Sequence, residues 1–231
     1  MIRLFINEDL FVDKKIIPDE KKAHYLIHVM RLQNGGEVYL FNGKDGEFLS
    51  ELEIFSKKKC ILHVVKKVKD FQKTPPCILC PAIIKKENMD FVLQKATELG
   101  VSEIMPVITE RTVVRGFNIE RAQSIVAEAA EQSERLDCPL VHAPISLMDL
   151  FDKLPQNTNV FFLSERGLTD SFEKKDIVPA FLIGPEGGFT EKEVSFLNNR
   201  KEVISLHLGN TILRAETASI AILSCWQYRI F

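Results

Sequence analysis

No apolar run in this sequence approaches the roughly 18–20 residues that span a bilayer, and residues 160–163 are typical of its short runs. The first eleven residues carry acidic side chains where a signal peptide keeps its apolar stretch. Eleven glycines and ten prolines in 231 residues are too few for a collagen-like or low-complexity chain. These absences predict a globular cytoplasmic protein without a membrane partner.

Cysteine is also scarce, and its count of five is odd, which does not indicate a disulfide framework. Cys77 and Cys80 form a single C-x-x-C pattern without the second cysteine or histidine pair of a zinc site. The apolar residues around them favour a buried strand, with redox or metal chemistry as the alternative. His24 and His28 have metal-ligand spacing, but the sequence offers no third ligand near them. We therefore expect no metal.

The net charge of −2 conceals an uneven distribution of charge along the chain. Residues 1–73 hold 14 Lys and Arg against 11 Asp and Glu, which gives +3, and the remainder holds 16 against 21, which gives −5. A cluster of lysines either contacts phosphates or protects an exposed edge strand from aggregation, and the cluster alone favours the edge-strand interpretation. Six lysines lie in one basic stretch: Lys57, Lys58, Lys59, Lys66, Lys67 and Lys69.

The first 70 residues have the pattern of a small β-barrel. Turn signals such as Asn42-Gly43 separate short β-type runs, and one helix is predicted at about residues 20–31. The predicted strands are residues 3–6, 38–41, 48–55 and 60–68. A plausible linker, Lys73-Thr74-Pro75-Pro76, follows and sets the first domain at residues 1–72.

After the linker, strands alternate with amphipathic helices, which predicts an α/β domain with a largely parallel sheet over residues 73–231. A capping box of Thr190 with Glu193 opens one of these helices. The predicted helices are residues 86–99, 120–135, 190–197 and 216–228, and the predicted strands are residues 78–84, 103–108, 160–163, 180–183 and 203–208.

Two glycine-bearing turns, residues 182–190 and 208–218, each follow an apolar strand of this domain. Ligands of open α/β sheets bind beyond the carboxyl ends of the strands, where glycine lets the backbone approach closely. Neither turn has the Walker A pattern or the G-x-G-x-x-G pattern. Since they also carry Glu186, Arg214 and Glu216, the pair favours a ligand pocket over plain tight turns.

The motifs GPEGGFT and LGNTILRAETA of these turns resemble the SPOUT superfamily of knotted RNA methyltransferases. More narrowly, they resemble the bacterial 16S rRNA uridine N3-methyltransferase family. Further matching segments follow in the family's order along nearly the whole chain: residues 24–31 and 41–43 of a PUA-like barrel, KATELGV at 95–101, TER at 109–111 and EQSxR at 131–135.

The resemblance implies a knotted, SPOUT-type C-terminal α/β domain at residues 73–231 and an RNA-binding PUA-like β-barrel at residues 1–72. It also implies S-adenosyl-L-methionine as cofactor, 16S rRNA of the small ribosomal subunit as partner, and no metal. Methylation of a uracil N3 would need positioning and stabilisation of negative charge on the uracil oxygens. Another base, a ribose 2′-OH, or a non-catalytic RNA-binding assembly role are the alternatives.

Roles for individual residues follow from the same resemblance. Arg214 would fix the uracil or a phosphate, and Glu186 would orient Arg214 or take the N3 proton, with turn stabilisation as the alternative for Glu186. The expected cofactor-binding residues are Leu163, Ser164, Glu165, Ile183, Gly184, Pro185, Gly187, Gly188, Leu208, Gly209, Ile212, Leu213, Thr217 and Ala218. The expected RNA-binding residues are Arg31, Lys57, Lys58, Lys59, Arg111, Arg115, Gln132 and Arg135, the last with a helix-end charge as its alternative.

The final predicted helix is apolar around its whole circumference, from Ala218 through Trp226 to residues 230–231. A helix of this kind must be covered on all sides. We therefore expect a homodimer formed through the C-terminal domain, as the resemblance also implies. The alternative is a central helix covered by its own chain.

Overall fold

The computed structural model describes residues 1–114, 116–164 and 177–228. The chain forms two compact units. The first contains Met1–Lys73 together with Ala130–Cys138, and the second contains Thr74–Ala129 with Pro139–Phe231. No helix among the described residues is long and apolar enough to cross a membrane.

The first unit is built on a five-stranded sheet in the order β1-β3-β4-β5-β2. β1 pairs with β3 in parallel, and the other pairs are antiparallel. The strands are β1 (Arg3–Phe5), β2 (Lys15–Ile16), β3 (Glu37–Phe41), β4 (Glu47–Ser56) and β5 (Lys59–Lys69). Their alternating inward residues, with those of the helical segment, form a separate hydrophobic core that includes Leu4, Leu26, Leu40, Leu52 and Leu62.

The predicted helix at residues 20–31 is shorter and less regular in the structure. α1 (Glu20–His24) begins with a cap from the Asp19 side chain to the Lys22 N–H, and it continues as a π-helical turn (Tyr25–Val29). Arg31 then adopts a φ of +54°, a left-handed conformation that ends the helix.

A buried ion pair explains why residues 130–138 belong to the first unit. Arg3 Nε donates to Glu47 Oε1 over 2.6 Å, and both side chains are almost fully buried. The remaining guanidinium nitrogens donate to the carbonyl oxygens of Ala130, Glu131 and Arg135 at 2.9–3.2 Å. A cation is favoured at the first two of these carbonyls because they lie in the last turn of the helix at Ile119–Gln132, at its negative end. The predicted domain of residues 1–72 did not include this segment.

The second unit is an α/β structure with a six-stranded parallel sheet in the order β13-β11-β12-β6-β7-β9. Its strands are β6 (Ile78–Pro81), β7 (Glu103–Ile104), β9 (Leu140–Val141), β11 (Thr158–Leu163), β12 (Val178–Ile183) and β13 (Val203–Leu206). A two-stranded parallel ladder joins β8 (Val107–Ile108) to β10 (Ile145–Ser146). The predicted parallel α/β architecture is therefore confirmed, although β9 and β10 were too short to be predicted.

Five helices accompany this sheet: α2 (Lys86–Glu98), α3 (Ile119–Gln132), α4 (Leu147–Lys153), α5 (Glu191–Asn198) and α6 (Ala215–Gln227). α5 has the predicted capping box of Thr190 and Glu193. α6 packs against α2 and against strands β6 and β12, and its inward face, which includes Ile222 and Leu223, is buried. The C-x-x-C cysteines lie in and beside β6 and are buried, which agrees with a strand interpretation; burial also raises the pKa of the Cys80 thiol.

Candidate functional site

The carboxyl ends of four adjacent parallel strands meet at one edge of the second unit's sheet. β12 lies between β6 and β11, with Ile183 opposite Pro81 and Phe162 opposite Leu182, and Leu163 lies opposite Leu206 of β13. The loops after these strands must therefore lie side by side. Both glycine-bearing turns of the sequence are at this edge.

A cleft of about 750 Å³ opens at this edge. That volume lies within the range of small-molecule and cofactor sites. The residues that line it are Lys85, Asn88, Arg111, residues 162–164, residues 183–189, Val194, residues 212–215 and Ala218. Of the predicted cofactor-binding residues, the cleft brings together Leu163, Ser164, Ile183, Gly184, Pro185, Gly187, Gly188, Ile212, Leu213 and Ala218, and it also contains Glu186 and Arg214.

The first glycine turn is tightly packed on its inner side. A Cβ atom at Gly184 would lie 2.8 Å from the ring of Phe189, closer than real contacts allow. That ring packs edge-on against Phe162 with centroids 5.1 Å apart. Gly188 closes the turn with a φ of +66° and an N–H bond of 2.9 Å to the Pro185 oxygen. Glycine is needed here both for space and for conformation.

Two charged side chains hold the same turn from outside. Arg111 Nη1 donates to the carbonyl oxygen of Gly187 over 2.8 Å. The buried carboxylate of Glu193 accepts from the N–H of Glu110 at 2.9 Å and from the N–H of Thr190 at 2.8 Å. The segment around Arg111 and the glycine turn are thereby fixed to each other.

The second glycine turn reaches the cleft with its last residues. Arg214 occupies the N-cap position of α6 without forming a side-chain cap, and its side chain is exposed in the cleft. Ile212 is 75% exposed, which is unusual for an isoleucine and leaves an apolar side chain available to a ligand. Leu208, Gly209 and Thr217 are not among the residues that line the cleft, and their role in cofactor binding stays a prediction.

The remaining predicted residues lie elsewhere. Glu165 and Arg115 fall outside the described residues. Apart from Arg111, which lines the cleft, the other predicted RNA-binding residues belong to the first unit. There Lys57 and Lys58 occupy the turn between β4 and β5, and Lys59 begins β5. Arg31, Lys57, Lys58, Lys59 and Gln132 are exposed, whereas Arg135 is mostly buried and ion-paired with Asp137 at 2.9 Å.

Sequence reasoning missed six residues that line the cleft, namely Lys85, Asn88, Phe162, Phe189, Val194 and Ala215. For the first two there is only a general signal: polar residues that follow a buried parallel strand often reach a ligand, but the sequence does not show which strands lie side by side. The sequence pattern around the two phenylalanines is that of ordinary core residues, and their packing under the turn depends on the tertiary structure.

Positively charged side chains outnumber negatively charged ones in the described lining of the cleft. Lys85, Arg111 and Arg214 line it together with a single carboxylate, Glu186, among the described residues, a balance of +2. A lining of this sign favours an anionic guest. No group of three or more His, Cys, Asp or Glu residues that could hold a metal occurs in the described parts of the chain. His28 instead contacts the Lys57 carbonyl oxygen through Nε2 at 2.7 Å.

Comparison with known proteins defines the class of this fold and site. A family model described as an RNA methyltransferase domain matches residues 72–227, and one described as an RNA methyltransferase PUA domain matches residues 17–65. A relative named ribosomal RNA small subunit methyltransferase E, from Rickettsia conorii, is 35% identical over 94% of this chain and 91% of its own length.

Two solved structures have nearly the same fold. The ribosomal RNA small subunit methyltransferase E of Neisseria gonorrhoeae, bound to S-adenosyl methionine, has a TM-score of 0.90 and 30% identity, covering 99% of this chain and 98% of that one. A Legionella pneumophila structure with bound S-adenosylmethionine has a TM-score of 0.89 and 28% identity, covering 99% and 97%. The chain belongs to the ribosomal RNA small subunit methyltransferase E family. The resemblance seen in the sequence is confirmed.

Proposed function

We propose that this protein transfers a methyl group from S-adenosylmethionine to N3 of one uridine in 16S rRNA of the small ribosomal subunit. The observation that carries the proposal is the cleft at the carboxyl edge of the parallel sheet, which combines two glycine turns with Arg214 and Glu186. Family membership supplies the reaction class, and the chemistry of the cleft supplies the roles of the residues. The knot implied by the sequence resemblance stays a prediction.

The cleft fits the cofactor. S-adenosylmethionine supplies an electrophilic methyl group on its sulfonium. Adenosine-sized ligands need apolar contact and backbone hydrogen bonds, and the cleft offers Ile212 and Leu213 together with the turn at Gly184 and Gly188. Because a Cβ at Gly184 would clash with the ring of Phe189, this position of the turn requires glycine.

Removal of the uracil N3 proton leaves negative charge on N3 and the two carbonyl oxygens. Arg214 places a guanidinium with several donors in the cleft, and this group stabilises that charge as the methyl group is transferred. Glu186 is the carboxylate available in the cleft among the described residues, either to accept the proton or to orient Arg214. Neither side chain has a hydrogen-bond partner among the described residues, so both are free to meet the substrate.

The basic turn of the first unit contacts the RNA backbone in this proposal. Lys57, Lys58 and Lys59 are exposed at and beside the β4–β5 turn, and Arg31 is exposed at the end of the helical segment. Contacts of exposed lysine and arginine side chains with phosphates supply most of the sequence-independent affinity of a protein for nucleic acid. Arg111, Arg115, Gln132 and Arg135 are the further proposed RNA contacts. Action on ribosomal RNA would place the protein in the cytoplasm.

The active unit in this proposal is a homodimer formed through the second unit. One face of α6 is buried by its own chain, but Ile220 and Trp226 are only partly covered and Tyr228 is 70% exposed. A second copy would cover this apolar surface. Sedimentation tests the dimer: an active species of twice the 26.3 kDa chain mass supports it, and an active monomer contradicts it.

The decisive experiment is methylation of ribosomal subunits and of naked 16S rRNA, followed by mass-spectrometric mapping of the modified nucleotide. We expect one 3-methyluridine whose formation requires S-adenosylmethionine. Arg214→Ala and Glu186→Gln should bind the cofactor and lose most methyl transfer. A methyl group on another base or on a ribose oxygen would contradict the proposed specificity, and RNA binding without any methyl transfer would favour an assembly role.

A further inference from the structure

Lys85 lies in the loop that joins β6 to α2, and backbone hydrogen bonds fix this loop beside the first glycine turn. The N–H of Ala82 donates to the Ile183 oxygen over 2.8 Å. The next N–H, of Ile83, donates to the Val107 oxygen over 3.0 Å. The loop is therefore tied both to the end of β12 and to β8, and Lys85 lines the cleft together with Arg111 and Glu186.

The local structure gives Lys85 no role of its own. It occupies the N-cap position of α2 but forms no side-chain cap. Serine, threonine, aspartate and asparagine stabilise this position, and a positive charge there is unfavourable because the helix dipole is positive at its start. Lys85 also has no ion pair within the described parts of the chain, although its side chain is exposed to the cleft.

The next lysine provides an internal comparison. Lys86 is also exposed and begins α2, but it lines a separate, mostly apolar groove together with Met89, Leu93 and Phe117. Two adjacent exposed lysines of the same charge thus line different surfaces. Only Lys85 shares a cleft with Arg214 and the glycine turn.

We infer that Lys85 is a substrate-binding residue whose ammonium group contacts a phosphate of the target nucleotide. This inference rests on the proposed function. S-adenosylmethionine carries a sulfonium, an ammonium and a carboxylate, so it is a net cation and does not neutralise the balance of +2 in the cleft. Each RNA phosphate carries one negative charge and reduces that balance. Lys85 and Arg214 occupy the N-cap positions of two different helices and line the same cleft, so in this inference both contact the bound nucleotide.

The test compares Lys85→Gln with Lys86→Gln in the full-length protein. RNA affinity is measured with naked 16S rRNA over a range of salt concentrations, and cofactor affinity is measured by calorimetry without RNA. For Lys85→Gln we expect roughly tenfold weaker RNA binding. The slope of the logarithm of the binding constant against the logarithm of the salt concentration should be less steep by about 0.7–0.9. Cofactor affinity should equal that of the wild type. Lys86→Gln should behave as wild type in both measurements, and Lys85→Arg should restore RNA affinity.

Two results overturn the inference. One is an RNA affinity and salt slope for Lys85→Gln that match those of Lys86→Gln. The other is weaker cofactor binding by Lys85→Gln with normal RNA binding, which would place the cofactor carboxylate at Lys85. A failure of the proposed function is recognised separately, because wild-type protein would then form no 3-methyluridine while the RNA-binding comparison still reports on Lys85.

Discussion

Arg111 and Gly187 are joined by a hydrogen bond of 2.8 Å from a guanidinium nitrogen to a backbone oxygen, across 76 positions of sequence. The bond holds the glycine turn from the side of the β8 loop. The same guanidinium nitrogen lies 3.4 Å from the Phe189 oxygen. Arg111 therefore shapes the cleft of its own chain, whatever it contributes to RNA binding.

Replacing Arg111 by alanine should loosen the glycine turn and weaken cofactor binding about tenfold, because a charge-assisted hydrogen bond to the turn is lost. Calorimetry with S-adenosylmethionine and no RNA isolates this effect. Arg121→Ala is the matched control, since Arg121 is a surface arginine paired with Asp90 at 2.5 Å and does not line the cleft. Equal cofactor affinity in the two variants would show that the glycine turn keeps its conformation without the hydrogen bond from Arg111.

Glu193→Ala should lower the free energy of unfolding by about 1–3 kcal/mol, because the N–H groups of Glu110 and Thr190 lose their acceptor. Urea denaturation at neutral pH measures the change. Glu191→Ala removes the same charge from the same first helical turn, but from an exposed position, and should cost much less. Similar losses in both variants would mean that charge near the helix start, and not the two hydrogen bonds, carries the effect.

Gly209→Val should abolish most cofactor binding and leave the fold largely intact. Gly209 has a φ of +93°, which a β-branched residue adopts only with strain, while a Cβ there would meet no other atom within 4 Å. The strain is expected to rearrange residues 208–213. Gly116→Val is the control, because Gly116 also has open space but no positive φ. Normal cofactor affinity in a folded Gly209→Val protein would remove this turn from the cofactor site.

Glutamine at Lys57, Lys58 and Lys59 should weaken RNA binding and reduce its salt dependence by about 0.7–0.9 log units for each lost phosphate contact. Cofactor affinity should not change. A useful comparison is the pair Lys67 and Lys69, which is already engaged by Asp70 at 2.7 Å and Glu47 at 3.3 Å. If the triple variant retains the wild-type salt slope, the lysines serve as a solvated surface.

The cysteines of the C-x-x-C pattern should not react with a thiol reagent in the native protein at pH 8. Cys77 and Cys80 are buried, and burial raises the pKa of the Cys80 thiol, so the reactive thiolate does not form. Burial also raises the pKa of Cys138 to about 12. All five thiols should react after unfolding. Rapid native modification of Cys77 or Cys80 would support the redox alternative.

Much of this protein is determined by local sequence. Apolar periodicity places α2, α5 and α6 within one or two residues, since burying one helical face requires that spacing. The α5 capping box is likewise local, because Thr190 and Glu193 are three residues apart. The glycines that follow apolar strands indicate where the cleft lies, because these turns need the space and the backbone conformations that only glycine allows.

Tertiary structure alone decided which distant residues meet. Lys85 and Asn88 enter the cleft because β6 pairs with β12, about 100 residues later, and no local pattern specifies the order of strands in a parallel sheet. Residues 130–138 join the first unit because Arg3 and Glu47 are buried together and Arg3 binds three carbonyl groups at a helix end. Such contacts join chain segments that are 44 to more than 100 positions apart, and their packing balances burial against chain entropy over the whole fold.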